Sequence, residues 1–472
     1  MVKVLAATNR MHYQLICAAC GLVLDDDGFL LACPRPHAPA LLTTRYTSRT
    51  LEGKRRAPGL YRYQCWLPGT NRLAHSSRTV TYQSRRLSST LRLPHLWVTF
   101  SGYWPERGAT LETATFKELG VGGVLSRIPR QGFRALVVAS AGNTAAAFAS
   151  SSSENDIPCL IIVPASGMEK MRFTCRLQPC VKIVCLTGGA AHSDAIAFAD
   201  RITQRDGFVG EGGVKNVGRR DGIATAVLNA VETMGKLPDY YFQAIGSGAG
   251  AIAAHEAAKR LIEDSRFGRA LPRLMLSQNA PFTPIYDSWK TGRRELVETD
   301  PDTATDLAKK IVATVLSNQR PPYSTVGGVF DVLRESQGDM FTVDNQEVWQ
   351  AMELFERCEG IDIEPAAGVA LAALRQAANS GQIGSDATVL LHITGGGVAK
   401  RGSERTLFST PPDLELSLEE LGTDGGLEKA CALFAEQNML VDLHRQKPSL
   451  RASAGQRILK NKVIVRFHID RP

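Results

Sequence analysis

Short apolar runs alternate with amphipathic stretches through the middle of the chain. The runs are rich in branched side chains, as expected of strands buried on both faces of a sheet, and the stretches between them have helical periodicity. Strand followed by helix, repeated, predicts an α/β fold with a mostly parallel sheet and helices on both faces. The predicted strands are RALVVAS (134–140), CLIIVPA (159–165), VKIVCL (181–186), YYFQAI (240–245), RLMLSQ (273–278) and TVLLHIT (388–394), and the predicted helices are NTAAAFASSS, HSDAIAFADRITQ, DGIATAVLNAVETMG and GAIAAHEAAKRLIED.

Unusual loops follow three of these strands: SAGNT at 140–144, GSGAG at 246–250 and TGGG at 394–397. Ligands bind at the carboxyl ends of parallel strands, so these loops are candidates for a site. GSGAG precedes a predicted helix; glycines let backbone N–H groups converge, and the helix end adds partial positive charge. A dinucleotide fingerprint fits poorly, because the acids at the expected distance, Glu263 and Asp264, precede the next strand. A single phosphate group is therefore the predicted guest.

Length and composition narrow the class of protein. The 472 residues allow about two to four domains. With 44% hydrophobic and 22% charged residues, the chain is of ordinary globular composition, which argues against disorder or a coiled coil. No uncharged apolar run approaches the roughly 18–20 residues that cross a bilayer, and no secretory signal is visible at 1–14. Several cysteines lie in apolar runs, which indicates reduced, buried thiols. We predict a cytoplasmic protein without a membrane partner.

The net charge of +8 is concentrated, because residues 443–472 supply +7 of it. We interpret this basic tail as a solvated extension. A second basic segment, 47–93, interleaves Arg and Tyr residues with Trp66. Packing of this strap against a larger domain is the main interpretation, and no nucleic-acid partner is expected. The alternative is a zinc-knuckle protein that binds single-stranded nucleic acid through the strap and the tail.

The first forty residues contain a candidate metal site. Cys17 and Cys20 form a Cys-x2-Cys knuckle, and Cys33 and His37 follow it. Three thiolates and an imidazole suit tetrahedral zinc, because a knuckle presents two sulfurs from one turn. A single knuckle is a weak signal, so a small hairpin lobe with three reduced cysteines and no metal remains open.

Lys117, in TFKEL, would by itself be read as a solvated charge near a helix start. However, TFKEL, SAGNT, GSGAG, EPAAG (364–368) and TGGG occur in an order that resembles the fold type II family of pyridoxal-phosphate (PLP) enzymes, with the tryptophan synthase β-like fold. The resemblance implies that Lys117 forms the Schiff base with PLP and acts as the catalytic base. It also implies three sets of binding residues: Asn143 and Thr394 for the cofactor ring; Gly246, Ser247, Gly248, Ala249 and Gly250 for its phosphate; and Ser140, Ala141, Gly142 and Thr144 for the substrate carboxylate.

The resemblance also implies a reaction class. A hydroxyl at position 394 leaves the pyridine nitrogen largely unprotonated, which favours β-elimination or β-replacement through an aminoacrylate. Within the family, FSGYWPERGATLETATFKEL (100–119) and PALLTTRY (39–46) are similar to the cysteate synthase branch of the threonine synthase family. Enzymes of that branch join sulfite to O-phosphoserine and release phosphate. The alternative is a threonine-synthase-like lyase that acts on O-phosphohomoserine.

The substrates of such a reaction are anions, so a binding site for them needs positive charge. Arg107 is the main candidate to bind the anionic substrates, with Arg127 and Lys215 as weaker candidates. The family implies a homodimer. Its two doubly wound domains would meet at the cofactor, which predicts an amino-terminal lobe at 1–46, a large domain at 47–129 and 216–405, a small mobile domain at 130–215, and an extension with a basic tail at 406–472.

Overall fold

Each apolar run predicted as a strand is a strand in the computed structural model, which describes residues 12–53, 56–69, 71–140 and 142–435. Its strands are β1 (Tyr13–Cys17), β2 (Val23–Leu24), β3 (Leu42–Tyr46), β4 (Val80–Gln83), β5 (Leu96–Phe100), β6 (Tyr103–Trp104), β7 (Ala109–Thr110), β8 (Ala135–Ala139), β9 (Cys159–Pro164), β10 (Arg172–Phe173), β11 (Val181–Leu186), β12 (Phe208–Gly210), β13 (Tyr240–Ala244), β14 (Arg273–Asn279), β15 (Asp339–Val343), β16 (Val389–Ile393), β17 (Phe408–Ser409) and β18 (Leu414–Leu416).

The helices that the structure describes are α1 (Arg86–Leu91), α2 (Lys117–Arg127), α3 (Asn143–Glu154), α4 (His192–Ile202), α5 (Val217–Met234), α6 (Ala249–Asp264), α7 (Pro284–Lys290), α8 (Pro301–Lys310), α9 (Val329–Glu335), α10 (Asn345–Glu359), α11 (Pro365–Asn379), α12 (Val398–Glu404), α13 (Leu418–Leu421) and α14 (Asp424–Ala432). The four predicted helices are all found among them, as α3, α4, α5 and α6. Among the described residues, no helix is both long and apolar enough to span a membrane.

The larger sheet has the strand order β15-β14-β13-β16-β5-β4 and is parallel except for the β4–β5 pair. Its central strands are apolar on both faces because helices cover both sides of the sheet. Phe242, Leu276 and Leu391 are accordingly fully buried. The carboxyl ends of β13 and β16 lead into the GSGAG and TGGG loops, so the sheet brings these two loops to one edge.

The smaller sheet has the order β12-β8-β9-β11-β18, and all its neighbouring strands are parallel. SAGNT follows β8 at the carboxyl edge of this sheet. The edge strand β18 belongs to the segment predicted as a carboxyl-terminal extension, and it pairs Leu416 with Leu186. Three residues carry too little periodicity to predict a strand. The described residues up to Leu433 form one compact unit, while the basic tail at 443–472 lies outside the described residues.

The amino-terminal lobe is a three-stranded antiparallel sheet, β2-β1-β3. The strap that follows it forms a 3-10 helix over Gly59–Trp66, and its Tyr63 and Trp66 side chains belong to the hydrophobic core beside the larger sheet. Tyr61, Tyr63 and Trp66 are buried, and the Trp66 indole donates a hydrogen bond to the Ser48 carbonyl. These three rings are therefore core residues and do not offer the stacking surface that the nucleic-acid alternative requires.

Candidate active site

A cleft of about 620 Å³ lies where the three loops and the start of α2 meet. It brings together eleven of the residues that the family resemblance predicts, although they are spread over 278 positions of the chain. The predicted residues that line it are Lys117, Ser140, Gly142, Asn143, Thr144, Gly246, Ser247, Gly248, Ala249, Gly250 and Thr394. Ala141 lies outside the described residues.

Lys117 is the first residue of α2 and is half-buried in the cleft wall. The backbone N–H of Phe116 donates to the Thr394 carbonyl at 2.9 Å, which holds the start of α2 beside the TGGG loop. Burial, followed by the nearby Arg219 cation, lowers the pKa of the Lys117 amine to about 8. The carboxylates of Glu211 and Glu364 act in the opposite direction. About a tenth of this amine is therefore neutral at pH 7, far more than for a lysine of ordinary pKa, and the neutral form is the one that acts as a nucleophile or base.

The pH dependence of PLP binding tests this electrostatic picture. We expect the rate at which PLP-free protein binds PLP to rise with pH and to level off above an apparent pKa of about 8. Arg219→Gln is expected to move the apparent pKa upward, because it removes a cation and leaves the Glu211 carboxylate without its ion-pair partner. Stopped-flow absorbance between about pH 6 and about pH 10 measures the profile. Arg269→Gln, at an exposed arginine outside the cleft, is the control; identical profiles for the two variants would contradict the role of Arg219.

The GSGAG loop presents the amino terminus of α6 to the cleft. Gly248 has φ +80° and precedes the first helical residue, Ala249, and no side chain caps this end among the described residues. The first N–H groups of the helix are therefore available to a bound anion, and the helix dipole favours negative charge there.

A second helix amino terminus, that of α3, faces the same cleft. Gly142 precedes Asn143, the first residue of the helix, and no described side chain caps this end either. The backbone N–H of Gly142 donates to the Ser140 hydroxyl at 3.2 Å and so stabilises the turn before the helix. The Asn143 side-chain amide donates to the Glu364 carboxylate at 2.9 Å. The first N–H groups of α3 are thus without a side-chain cap at the loop where the family resemblance predicts a bound carboxylate.

The residues present fit pyridoxal phosphate. An amine of lowered pKa lies in the same cleft as a glycine loop that exposes helix N–H groups. The cleft also contains a threonine hydroxyl, Thr394, and the Thr115 hydroxyl is buried there without a hydrogen-bond partner among the described residues. Lys117 would bind the aldehyde, and Gly246–Gly250 would hold the phosphate. These groups are the ones that a phosphorylated aldehyde with a polar ring requires.

Sequence reasoning missed several charged residues of the cleft. Arg219 and Glu211 form an ion pair of 2.5 Å, and Glu364 lies 4.0 Å from the Lys170 amine. The EPAAG motif marks Glu364 in the sequence, but Arg219 belongs to a Gly-Arg-Arg run (218–220) that matches no motif. The charges of Arg219 and Glu364 shift the pKa of Lys117 through space, and this effect arises only because the fold brings the three residues together.

A buried polar network beneath the cleft was also missed. The Tyr241 hydroxyl lies 2.7 Å from His392 Nδ1 and donates to Oε1 of the Gln243 side chain at 2.8 Å. His392 Nε2 lies 2.9 Å from the Ser101 hydroxyl. Burial lowers the pKa of His392 to about 3, so its imidazole is neutral. The network links β13, β16 and the end of β5, and it supports the ring of Phe116 at 5.7 Å from the His392 ring.

The structure does not place Arg107 in the cleft, and the anion-binding prediction for it is not supported. Its guanidinium lies over the rings of Tyr82 and Trp104, 4.4 and 4.6 Å from their centroids. Arg107 ends the 3-10 turn that connects β6 and β7, and it is absent from the lining of the cleft. Arg127 is likewise outside the cleft, in a fully buried ion pair with Asp26. Of the three candidates, the structure brings Lys215 to the cleft.

Comparisons with known proteins agree with this geometry. Residues 79–395 match the family model described as pyridoxal-phosphate dependent enzyme. A cysteate synthase from Methanosarcina acetivorans is 41% identical over 87% of this chain and 99% of its own length. A cysteate synthase from Methanocorpusculum labreanum is 45% identical over 82% of this chain and 93% of its own length. Maize serine racemase, at 18% identity and a TM-score of 0.52 over 68% of this chain and 89% of its own, shares the fold. The predicted resemblance is thus confirmed: the chain belongs to the fold type II pyridoxal-phosphate dependent enzymes, in the group of the cysteate synthases.

Proposed function

We propose that this chain catalyses β-replacement on O-phospho-L-serine, with sulfite as the nucleophile and L-cysteate and phosphate as products. The observation that carries the proposal is the pair of uncapped helix amino termini, α3 and α6, which face one cleft together with Lys117. One end suits a substrate carboxylate and the other suits the cofactor phosphate. The names of the curated relatives support the choice of reaction.

The residues of the cleft have two roles, which are to orient the substrate and to transfer its α-proton. Bound PLP supplies an electron-withdrawing ring that acidifies the α-proton of the amino acid. Burial lowers the pKa of the Lys117 amine to about 8, so the neutral amine can accept that proton at Nζ. The loop of Ser140, Gly142 and Thr144 would orient the carboxylate so that the α-proton faces this amine.

Two exposed cations, Lys215 and Arg320, lie on the cleft wall. Sulfite and the departing phosphate are both anions, and positive charge near the β-carbon favours binding of each. Lys215 comes from the 3-10 turn after β12, and Arg320 from the segment after the 3-10 turn Thr314–Leu316. We therefore assign to these residues the role that the sequence suggested for Arg107.

Replacing these cations tests the assignment. We expect Lys215→Met and Arg320→Met each to raise the KM for O-phosphoserine or for sulfite about 10-fold, with little change in kcat, because each removes a charge-assisted contact. Steady-state kinetics with each substrate varied in turn measures the effect. Lys236→Met and Arg269→Met, at exposed positions outside the cleft, are matched controls. Unchanged KM values in both cleft variants would remove these residues from anion binding.

Product analysis tests the function itself. The PLP-loaded protein is incubated with O-phosphoserine or O-phosphohomoserine, each with and without sulfite, and the products are identified by mass spectrometry. We expect cysteate and phosphate to form from O-phosphoserine and sulfite. Threonine from O-phosphohomoserine, without cysteate from the first pair, would instead support the threonine-synthase-like alternative.

We further infer a cytoplasmic homodimer without a nucleic-acid partner. The family resemblance supports the dimer. None of the ten cysteines, all of which lie among the described residues, forms a disulfide, as expected in a reducing compartment. Burial of the aromatic side chains of the strap supports the absence of a nucleic-acid partner. Light scattering of the purified protein tests whether it is a homodimer. Retention on a polynucleotide column at low salt would contradict the absence of a nucleic-acid partner.

A further inference from the structure

The amino-terminal lobe, which the proposed reaction does not use, brings four metal-ligating side chains together. The ligand atoms of Cys17, Cys20, Cys33 and His37 all lie within 4.8 Å of one another. The sulfurs of Cys20 and Cys33 are 3.7 Å apart, and Cys17 Sγ is 3.3 Å from His37 Nε2. A tetrahedral zinc ion has ligand-to-ligand edges of about 3.8 Å between two sulfurs and about 3.6 Å between sulfur and nitrogen. Two edges of the cluster therefore match those of a tetrahedral zinc site, and no edge is longer than 4.8 Å.

The local backbone also has the form of a metal knuckle. Strand β1 ends at Cys17, and the chain reverses through Gly21, whose φ of +67° is in the left-handed region, before β2 pairs with β1. The Cys17 N–H donates to the Leu22 carbonyl and the Gly21 N–H to the Cys17 carbonyl, both at 3.0 Å. This turn presents the sulfurs of Cys17 and Cys20 to the same point, as zinc knuckles do.

His37 is oriented as a metal ligand. Its Nδ1 lies 2.7 Å from the Ala38 carbonyl, which accepts a hydrogen bond and so fixes the proton on Nδ1. The lone pair of Nε2 then faces Cys17. A ring nitrogen that donates to a backbone carbonyl while the other nitrogen faces the ion is the usual arrangement of zinc-bound histidine.

We propose that Cys17, Cys20, Cys33 and His37 bind one Zn²⁺ ion as a closed, structural site. Three thiolates and one imidazole are soft and borderline donors, which favours zinc over magnesium or calcium. All four positions come from the protein, so the ion has no open position for a substrate and stabilises the fold of the lobe.

The proposed site also ties the lobe to the active-site cleft. The segment between Cys20 and Cys33 carries Asp26, which pairs with the buried Arg127 at 2.7 Å, and Leu31, which lines the cleft. Leu31 packs so closely on Gly212 that a Cβ there would lie 2.4 Å from its Cδ2. Zinc would therefore hold both ends of the segment that places Leu31 in the cleft wall.

Metal analysis of the full-length, PLP-loaded protein tests the proposal independently of catalysis. We expect about one zinc per chain by inductively coupled plasma mass spectrometry after purification without chelator. Cys33→Ser and His37→Ala are expected to lower the zinc content severalfold, whereas His37→Cys, which keeps four donors, retains it. Cys175→Ser, at an exposed cysteine outside the cluster, is the matched control and retains zinc.

Cobalt substitution provides a measurement on the wild-type chain, in case the variants fail to fold. Protein exchanged with Co²⁺ is expected to show the intense visible absorption and the thiolate charge-transfer bands of tetrahedral cobalt, and chelation of the zinc is expected to lower the Tm. Wild-type protein that contains no zinc and gives no tetrahedral cobalt spectrum would overturn the proposal. A Cys20–Cys33 disulfide in the native protein, or zinc content unchanged in both ligand variants, would overturn it as well.

Discussion

Lys117→Ala is expected to lower kcat for cysteate formation by about 10²–10⁴-fold, which is the usual contribution of a positioned general base. The side chain lies at the start of α2 in the cleft, and burial makes its amine partly neutral. The variant also loses the covalent attachment of PLP, so its visible absorbance band is expected to shift towards that of the free aldehyde. Steady-state kinetics and an absorbance spectrum measure both effects.

The control separates chemistry from folding. Lys236→Ala changes an exposed lysine outside the cleft and is expected to match the wild type in both measurements. Adding methylamine to the Lys117→Ala protein is expected to restore part of the rate, because a free amine can replace the missing base. Wild-type kcat in Lys117→Ala would remove this residue from the reaction.

Gly248→Ala is expected to weaken PLP binding by about 10- to 100-fold, because the phosphate loses charge-assisted hydrogen bonds to displaced N–H groups. Gly248 has φ +80°, and a Cβ there would lie 2.1 Å from Cγ2 of Val329. Val329 is fully buried and stiff at χ1, so we expect the loop to shift and the amino terminus of α6 to move with it. Fluorescence titration of the PLP-free variant measures the Kd.

Gly235 provides a matched control for the backbone effect alone. It has φ +75°, and nothing lies within 4 Å of the position of its Cβ. Gly235→Ala should therefore cost about 1–2 kcal/mol of unfolding free energy and leave the Kd for PLP unchanged. The double variant Gly248→Ala/Val329→Ala removes the clash and should recover part of the affinity. Equal Kd values for Gly248→Ala and wild type would show that the loop does not hold the phosphate.

The fold could be predicted from the sequence because its central strands are buried on both faces. CLIIVPA and VKIVCL, for example, become β9 (Cys159–Pro164) and β11 (Val181–Leu186) almost without change at their ends. Short strands could not be predicted in the same way. Strand β18 has three residues, and it pairs with β11 because of the tertiary fold and not because of its own pattern.

The candidate site could be predicted in part, for a related reason. Loops at the carboxyl ends of parallel strands meet at one edge, so SAGNT, GSGAG and TGGG could be placed together from the sequence. Lys117 required the family resemblance, because one lysine near a helix start carries no signal. The position of Arg107 could not be predicted, because a separation of ten residues from Lys117 does not determine where a side chain lies in the fold. In the structure, the Arg107 guanidinium lies over the rings of Tyr82 and Trp104. Arg219 and His392 act through contacts that exist only in the fold.

The most direct test is to locate the lysine that binds PLP. The PLP-loaded protein is reduced with borohydride, digested and mapped by mass spectrometry. The structure predicts that the pyridoxyl label is found on the peptide that contains Lys117. A label on Lys170 or Lys215, the other lysines near the cleft, or no label on any peptide, would contradict the account.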